Sequence, residues 1–445
     1  MAHADNRSPS RRDILSIAAM TGASLAFAGL PAQTEPHPRK PNQRPVARLQ
    51  HPPMDKVRVA IIGLGGRGTA LLGILLDISN VQITALCDTV PQNVTAAAKL
   101  VTAKNQPAPA PFTKNETDFE NLCKRDDIDL VLIATPWELH TPMALSAMRN
   151  GKHAAIEVPA AITLDECWQL VDTAEESQRH CIMLENCCYG ETEMLVLNMV
   201  RQGVFGQLTH AEAAYLHSMP ESLLSQSPSS VWRRQHVIKS NGNLYPTHGL
   251  GPVAQYLSIH HGDKFDHLVS MSSPQLQLSG LRDKLPPNDP RRTEKYVCGD
   301  INTSLIKTTL GRTIMLQFDL STPRPYSRIN SICGTEGAFA DYPPRIHLRG
   351  QPDQWQTDLT PYTEKYTHPL WKKLKDLATK SGGHGGMDFV MLHRLIQCLR
   401  EGTPLDTSIY DAAAWSSIFP LSIASVSQAS APVQIPDFTR GQWKD

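Results

Sequence analysis

The stretch Val57–Gly68, VRVAIIGLGGRG, decides the fold of the amino-terminal half of the chain. Its apolar run ends in the pattern G-x-G-x-x-G, and Thr69–Leu76 continues with the periodicity of a helix. A parallel strand that ends in such a loop lets the backbone approach a pyrophosphate, whose charge the following helix N-terminus stabilises. Asp88 stands 20 residues after Gly68, at the end of the next apolar run. This context predicts a dinucleotide-binding fold.

The same residues predict which dinucleotide binds. The Asp88 carboxylate can accept hydrogen bonds from both hydroxyls of an adenosine ribose, and its charge would repel a 2′-phosphate, so NAD is favoured over NADP. Within the loop, Gly63, Gly65, Gly66 and Arg67 are the expected cofactor contacts. A glycine turn that only packs a strand on a helix is the alternative.

Length and composition set the class of protein. With 445 residues the chain exceeds what one hydrophobic core usually holds, so two domains are expected. A formal net charge of zero, with 19% charged residues, gives no indication of a nucleic-acid partner. The nine cysteines include no C-x-x-C pair and no Cys/His cluster with metal-ligand spacing. We therefore expect no metal site, and the odd count argues against a disulfide framework.

Residues 1–33 have the features of an export signal. Arg11-Arg12 precede the short apolar stretch Ile17–Leu30, which contains a small-residue cleavage pattern. Paired arginines are typical of a signal read by the twin-arginine translocation machinery, which predicts a periplasmic or secreted protein. The stretch is too short and too rich in small residues for a stable membrane span. A chance arginine pair in a tail is the alternative.

Residues 34–53, rich in proline, are expected to form a linker.

Residues 54–190 alternate between strand-like and helix-like runs, which predicts an α/β domain with a doubly wound parallel sheet of the Rossmann type. Ligands bind outside the carboxyl ends of such strands, so the polar and aromatic residues that follow the strands are candidate cofactor contacts. The strands are expected at Val57–Ile62, Val81–Cys87, Asp129–Thr135, His153–Val158 and Cys181–Glu185. The further candidate cofactor contacts are Trp137, Glu138, Leu139, His140, Glu157, Val158 and Asn186. For His140 and Glu157, simple capping of the strand ends is the alternative.

Residues 191–445 predict a second, α+β domain that lies across the nucleotide crevice. Period-two alternation between Phe265 and His347 indicates a mainly antiparallel sheet with one open face. We expect an amphipathic helix at Pro252–His260 and a long helix at Thr407–Gln428, interrupted by Pro420. A long polar region is expected to end at Trp232-Arg233-Arg234.

The chain resembles the glucose-fructose oxidoreductase / inositol dehydrogenase family. The glycine fingerprint is followed by T-P-x-x-x-H at Thr135–His140 and by E-x-P at Glu157–Pro159, in the order found in that family. Ordinary members carry a lysine in the middle of E-K-P, which assists the transfer of a substrate hydroxyl proton. Val158 stands there in this chain and can neither donate, accept nor stabilise charge. The departure argues against an ordinary dehydrogenase.

Further motifs look like one branch of that superfamily, the family 109 glycosidases, typified by bacterial α-N-acetylgalactosaminidase. They are Trp137–His140, Glu185–Gly190, Gly242–Pro252 and Ser381–Asp388. The resemblance runs from about Lys56 to the C-terminus. It implies a glycosidase in which NAD takes a hydride from sugar C3, the C2 proton and the C1 leaving group are then lost, water adds, and the hydride returns. The cofactor ends each cycle in the oxidation state in which it began, so it can stay tightly bound without being recycled. This property fits an exported protein.

The resemblance also indicates a proton-transfer site at Tyr245-Pro246-Thr247-His248. A phenol and an imidazole three residues apart can both face a crevice. We expect Tyr245 and His248 to form the proton-transfer pair, with His140 assisting. His384 lies in a glycine-rich loop that can reach the substrate or be structural. The expected substrate contacts are Tyr215, Arg234, Tyr245, Pro246, Thr247, His248 and Tyr326. For Tyr215, Arg234 and Tyr326, a contact with the nicotinamide and a surface or packing role are the alternatives.

Two other functions stay open from the sequence. One is a periplasmic sugar oxidoreductase with tightly bound NAD(P), against which Val158 counts. The other is a non-catalytic NAD- or sugar-binding protein, which would keep the fingerprint and turn over no glycoside. The open sheet face also allows a homo-oligomer.

Overall fold

The computed structural model describes residues 37–444, so the export signal expected at residues 1–33 lies outside the described part of the chain. In the described part, no helix combines the length and the apolar character that a bilayer crossing needs.

Six strands form the amino-terminal sheet, all parallel, in the order β3-β2-β1-β4-β5-β6. The chain runs outward from β1 in one direction and then from β4 in the other, which opens a crevice at the carboxyl ends of the strands. The predicted doubly wound parallel sheet is confirmed. The strands are β1 (Val57–Ile62), β2 (Val81–Cys87), β3 (Ala110–Phe112), β4 (Leu130–Ile133), β5 (His153–Ile156) and β6 (Cys181–Met183).

Helices cover both faces of this sheet, which is why its central strands are apolar throughout. Every residue of β4 and β5 is buried. The sequence pattern missed β3, where Pro111 stands in the strand; proline is tolerated there because β3 is the edge strand. The helices are α1 (Gly66–Leu75), α2 (Pro91–Ala103), α3 (Asp118–Cys123), α4 (His140–Arg149) and α5 (Leu164–Ser177).

The second sheet has eight strands in the order β13-β12-β11-β7-β10-β9-β8-β14. The β7–β10 pair is parallel and the other pairs are antiparallel, which confirms the mainly antiparallel sheet. The strands are β7 (Leu208–Leu216), β8 (Phe265–Ser272), β9 (Ile301–Thr308), β10 (Thr313–Asp319), β11 (Ser331–Gly334), β12 (Gly337–Ala340), β13 (Arg345–Leu348) and β14 (Val433–Gln434).

The helices of this half differ from the sequence expectations in three places. The helix expected to begin at Pro252 begins at Thr247, so His248 lies in its first turn. The polar region before Trp232 is largely helical, and the last long helix continues through Pro420. The helices are α6 (Glu191–Arg201), α7 (Pro220–Leu224), α8 (Pro228–Lys239), α9 (Thr247–Tyr256), α10 (Gln277–Arg282), α11 (Thr360–Tyr366), α12 (Pro369–Ser381), α13 (Met387–Glu401) and α14 (Ile409–Ser427).

Two of these helices join the domains. Helix α13 packs on α1 and β1 of the Rossmann domain, and α14 packs between α5 and β8. The carboxyl-terminal half therefore contributes side chains directly to the nucleotide crevice.

Residues 37–53, expected to be a linker, contain no helix or strand but lie against the body of the protein. We call this segment the strap. Arg39 pairs with the buried Glu175 of α5 at 3.0 Å, and the Val46 N–H donates to the Tyr410 hydroxyl of α14. The strap therefore fastens the amino-terminal end of the described chain to both domains.

Candidate active site

The glycine loop between β1 and α1 has the shape of a dinucleotide cradle. Gly63 has φ +88°, and a Cβ there would lie 2.5 Å from the Ala134 carbonyl oxygen, so only glycine fits. A Cβ on Gly65 or Gly66 would meet no described atom within 4 Å. The backbone at these two positions is therefore open to a pyrophosphate at the N-terminus of α1, and the residues present fit NAD.

Asp88 holds this loop from the end of β2. Its carboxylate accepts hydrogen bonds from the backbone N–H groups of Leu64, at 2.7 Å, and Val90, at 2.8 Å. The position is the one expected for a ribose contact, and each carboxylate oxygen keeps a second lone pair for that purpose.

Arg67 ties the loop to both domains. Its guanidinium contacts Glu157 at 2.8 Å and Asp388 at 2.8 and 3.0 Å, and Asn186 donates to the same Asp388 carboxylate at 2.7 Å. Burial raises the pKa of Asp388, but its contacts with His384 and Arg67 outweigh burial and hold that pKa well below its usual range. Asp388, which the sequence interpretation did not select, thus joins Arg67 to Asn186, and Arg67 in turn holds Glu157; these three partners were all predicted as site residues.

His384 projects from the loop Gly382–Gly386. The four glycines of this loop have positive φ values, as does His384 itself at +47°. Its Nδ1 lies 2.8 Å from the Asp388 carboxylate, while 62% of its side chain is exposed. The arrangement is a histidine oriented by a carboxylate, with its other nitrogen free to meet a ligand.

His248 forms a second pair of this kind. Its Nδ1 lies 2.7 Å from Oε1 of Glu185, which also accepts the backbone N–H of Cys187. Burial raises the pKa of Glu185, yet the charge and the hydrogen bond of His248 lower it below its ordinary value overall. In the sequence, Glu185 stands out only as part of a motif that carries the family resemblance; the structure places it behind His248.

Aromatic rings surround His248 on the crevice side. The Tyr245 ring lies 4.9 Å from the His248 ring and 4.6 Å from the Tyr215 ring, and Trp137 packs 5.8 Å from Tyr245. Burial raises the pKa of the Tyr245 hydroxyl well above 10, so Tyr245 carries its proton at neutral pH. The Arg233 guanidinium lies over the Tyr245 ring at 5.4 Å. The structure therefore brings the Tyr245–His248 motif, Tyr215 and Trp137 together.

Two predicted site residues have other partners. Arg234 is buried, donates to the carbonyls of Leu223 and Ser225 and pairs with Glu294, so Arg233 is the cation of the aromatic cluster. His140 is 1% exposed, and both of its ring nitrogens lie within 2.8 Å of carbonyl oxygens, those of Pro159 and Thr135. Because neither nitrogen is free, His140 joins the turns after β4 and β5 instead of moving a substrate proton.

The other predicted residues lie around the same crevice. Val158 is 4% exposed, so an apolar side chain occupies the position of the usual lysine. Tyr326 is 37% exposed, accepts a hydrogen bond from Arg328, and lies 6.1 Å from the Tyr215 ring. Glu138 pairs with His236 at 3.0 Å and Leu139 is exposed. Pro246 is the N-cap of α9, and Thr247 is its first residue.

The residues that the sequence interpretation missed had partial signals. Asp388 and Glu185 both lie inside motifs that carry the family resemblance, but nothing in their spacing shows which histidine each one contacts. Arg233 and Arg234 are adjacent, and only the rotation of α8 decides which guanidinium faces the cluster.

Comparisons with known proteins agree with this geometry. Residues 57–185 match a family model described as "Oxidoreductase family, NAD-binding Rossmann fold", and residues 189–445 match "Glycosyl hydrolase 109, C-terminal domain". A glycosyl hydrolase family 109 protein of Solibacter usitatus is 52% identical over 438 residues, which is 98% of each chain. One of Shewanella pealeana is 49% identical, over 98% of this chain and 97% of the relative.

Solved structures show the same fold at low identity. Levoglucosan dehydrogenase in complex with NADH has a TM-score of 0.65 at 20% identity, covering 86% of this chain and all of that one. Aldose-aldose oxidoreductase from Caulobacter crescentus has a TM-score of 0.61 at 16% identity, covering 85% of this chain and all of that one. The Rossmann domain of this chain is NAD-binding, and the chain belongs to glycosyl hydrolase family 109.

Proposed function

We propose that the protein is a glycosidase that removes terminal α-N-acetylgalactosamine, or a closely related sugar, with NAD as a cofactor that is reduced and reoxidised in each turnover. The observation that carries the proposal is the pair of histidine–carboxylate contacts, His248–Glu185 and His384–Asp388, on a NAD-binding crevice. A simple dehydrogenase needs one proton-transfer site, whereas elimination of a glycoside needs a base for the sugar and an acid for the leaving group.

Bound NAD would accept a hydride from a sugar carbon and return it to the same carbon. The residues that would hold it are the glycine loop, Asp88 and the Arg67 network. The protein's own residues then move the protons. The Tyr245 and His248 rings pack edge to face with their centroids 4.9 Å apart, so the phenol and the imidazole would act on neighbouring positions of the same bound sugar. Glu185 orients the His248 ring through its 2.7 Å contact with Nδ1.

His384 is the acid that this site offers to the leaving group. It is exposed, whereas His248 is 15% exposed, so it can reach the aglycone side of a bound sugar. Asp388 holds its Nδ1, which leaves Nε2 to donate a proton to the departing oxygen and later to take one from water.

A sugar oxidoreductase is the second candidate, since levoglucosan dehydrogenase and aldose-aldose oxidoreductase, two solved structures with this fold, carry oxidoreductase names. In that function a lysine at position 158 would assist the hydroxyl proton. The apolar, buried Val158 favours the glycosidase.

A panel of p-nitrophenyl glycosides tests the proposal. The purified protein is incubated with each glycoside while nitrophenol release and NADH absorbance are followed together. We expect release from the α-N-acetylgalactosaminide with no net NADH. Oxidation of the sugar without nitrophenol release would instead identify an oxidoreductase, and binding without either signal a non-catalytic protein.

We further propose that the protein is exported in folded form. Replacing Arg11-Arg12 by a lysine pair is expected to leave the full-length precursor in the cytoplasm, which cell fractionation measures. The same fraction in the periplasm for wild type and variant would contradict export by the twin-arginine route.

The open face of the second sheet supports a homo-oligomer. Val269, Leu305 and Met315 form a cross-strand row on β8, β9 and β10, and Leu305 is 51% exposed. We propose that a second copy covers this row. Light scattering of a Leu305→Asp variant should show a smaller species than wild type; an unchanged mass would exclude this face.

A further inference from the structure

Glu185, Cys187 and His248 bring three different metal-binding side chains together. One ligand atom from each, a carboxylate oxygen, a thiol sulfur and an imidazole nitrogen, lies within 4.8 Å of the other two. Glu185 and Cys187 come from the turn after β6, and His248 from the first turn of α9. A Cβ on Gly251 would lie 3.0 Å from Cγ of Glu185, so the glycine allows this close approach.

A second observation points to a ligand at this cluster. Glu185 is 2% exposed, and its Oε2 has no hydrogen bond of good geometry among the described residues; the Thr247 hydroxyl, which also lacks one, lies near enough to help lower the pKa of Glu185. A buried carboxylate oxygen without a partner is costly, and a cation is one of the groups that satisfies it. The opposite oxygen, Oε1, is occupied by His248 and by the Cys187 backbone N–H.

We propose that Glu185, Cys187 and His248 bind a thiophilic divalent cation such as Zn²⁺, and that the bound ion inhibits the enzyme. Cys, His and carboxylate side chains are all Zn²⁺ ligands, and three protein ligands leave the fourth tetrahedral position to a water or another small ligand. Mg²⁺ prefers an all-oxygen shell and is not expected to compete. The inhibition rests on the proposed function, because the ion occupies the His248 nitrogen that Glu185 now orients.

Binding requires a small contraction and releases protons. Ligand atoms around a tetrahedral Zn²⁺ lie about 3.5 Å apart, and those of the cluster are at most 4.8 Å apart, so no separation must close by more than about 1.3 Å, which rotation of the Cys187 side chain can supply. The thiol gives up its proton to solvent when sulfur binds the ion, and any proton on the His248 ligand nitrogen is also lost. The charged groups facing the thiol are Glu185, Glu193 and Arg328, and Arg328 is paired with Glu193.

The test uses the NAD-loaded protein in a Cys333→Ser background, since Cys333 is an exposed thiol that would bind the probe itself. Cd²⁺ reports sulfur ligation through its thiolate charge-transfer absorbance, independently of turnover. We expect one equivalent of Cd²⁺ to produce the band, and Cys187→Ala to abolish it. Cys188→Ala is the matched control, because Cys188 is the adjacent buried cysteine outside the cluster.

Zn²⁺ inhibition is measured on the same proteins. We expect reversible inhibition in the background protein and in Cys188→Ala, relieved by EDTA, and at least tenfold weaker inhibition in Cys187→Ala. Mg²⁺ should not inhibit. Absence of the Cd²⁺ band, or an equal band in Cys187→Ala, would overturn the site. Should no glycoside be turned over, the proposed function fails while the Cd²⁺ titration still decides the site.

Discussion

His248 is the side chain on which the proposed chemistry depends most. General acid–base catalysis by one positioned side chain is worth about 10²–10⁴-fold in rate. We therefore expect His248→Ala to lower kcat on the preferred p-nitrophenyl glycoside by at least about 100-fold. His393→Ala, on α13, is the matched control and should keep turnover. Full turnover by His248→Ala, with NAD still bound, would remove His248 from the mechanism.

His384 differs from His248 in what its loss should do. If His384 protonates the leaving oxygen, its absence matters little when the leaving group is already a good one. We expect His384→Ala to retain far more activity on a p-nitrophenyl glycoside than on an alkyl glycoside of the same sugar, with a difference of about 10²-fold or more. The ratio of kcat/KM for the two substrates measures this. An equal loss on both would show that His384 acts in some other step.

Asp388 links pH to stability through its contacts with Arg67 and His384. Its folded-state pKa lies well below the unfolded value of about 4, so the stabilisation is fully present above about pH 4 and is lost as the pH falls further. Removing one partner from a buried ion pair costs about 3 kcal/mol, which is our expectation for Asp388→Asn at pH 7. The Tm difference from wild type should narrow at pH 3. The exposed Asp353→Asn is the control, and a pH-independent Tm difference would contradict this account.

At the scale of elements, two glycines of the loop between β1 and α1 have different roles, one in folding and the other in cofactor binding. A Cβ at Gly68 would overlap the Gly63 carbonyl oxygen, so Gly68→Ala should destabilise the β1–α1 turn itself. A Cβ at Gly65 meets no described atom within 4 Å and points where the pyrophosphate must approach. We expect Gly65→Ala to fold with near wild-type Tm without cofactor and to bind NAD at least about tenfold more weakly, a loss of about 1.4 kcal/mol.

Calorimetric NAD titration and thermal melts of the two apo variants make this comparison. Equal NAD affinity in wild type and Gly65→Ala would show that the loop does not contact the cofactor.

The Rossmann elements were predictable because each depends on local sequence. The predicted spans of β1 and β2 match the structure residue for residue, since an apolar run bounded by polar and glycine residues defines a buried strand. Helix α9 was placed five residues too late because Gly249 and Gly251 suggest a loop. In the structure these glycines instead let the first turn lie against β7, where a Cβ on Gly249 would be 2.5 Å from the Ala214 backbone nitrogen.

At the scale of the whole molecule, the missed site residues share one cause. Arg67 and Asp388 are 321 positions apart, and their contact exists only because α13 packs on α1. The sequence motifs identified both segments, but a local pattern carries no information on which distant side chain lies opposite. The partners of His140 could not be predicted for the same reason, since the Pro159 carbonyl that it contacts follows a different strand. The fold class and the cofactor could therefore be predicted from the sequence, whereas the contact partner of each site side chain could not.

The strap adds a further long-range feature, a buried histidine cluster. His51 of the strap lies 4.8 Å from the His153 ring and 5.3 Å from the His180 ring, and the latter two rings are 5.1 Å apart. Burial, and secondarily the charges of His51 and Arg179, lower the pKa of His180 to about 4. In mild acid the unfolded chain therefore binds a proton at His180 that the folded protein does not bind, and this lowers the free energy of unfolding.

The sign of this effect sets the last prediction. Between about pH 6.5 and pH 4 the unfolded chain binds a proton at His180 that the folded chain does not, so the stabilisation is complete above pH 6.5 and declines as the pH falls. At pH 5 the loss from this residue is about 2 kcal/mol. We expect the Tm of wild type to fall more steeply from pH 7 to pH 5 than that of His180→Gln, with His347→Gln as the control. An equal change of Tm with pH in wild type and His180→Gln would show that the histidine cluster does not make the stability of the protein pH-dependent.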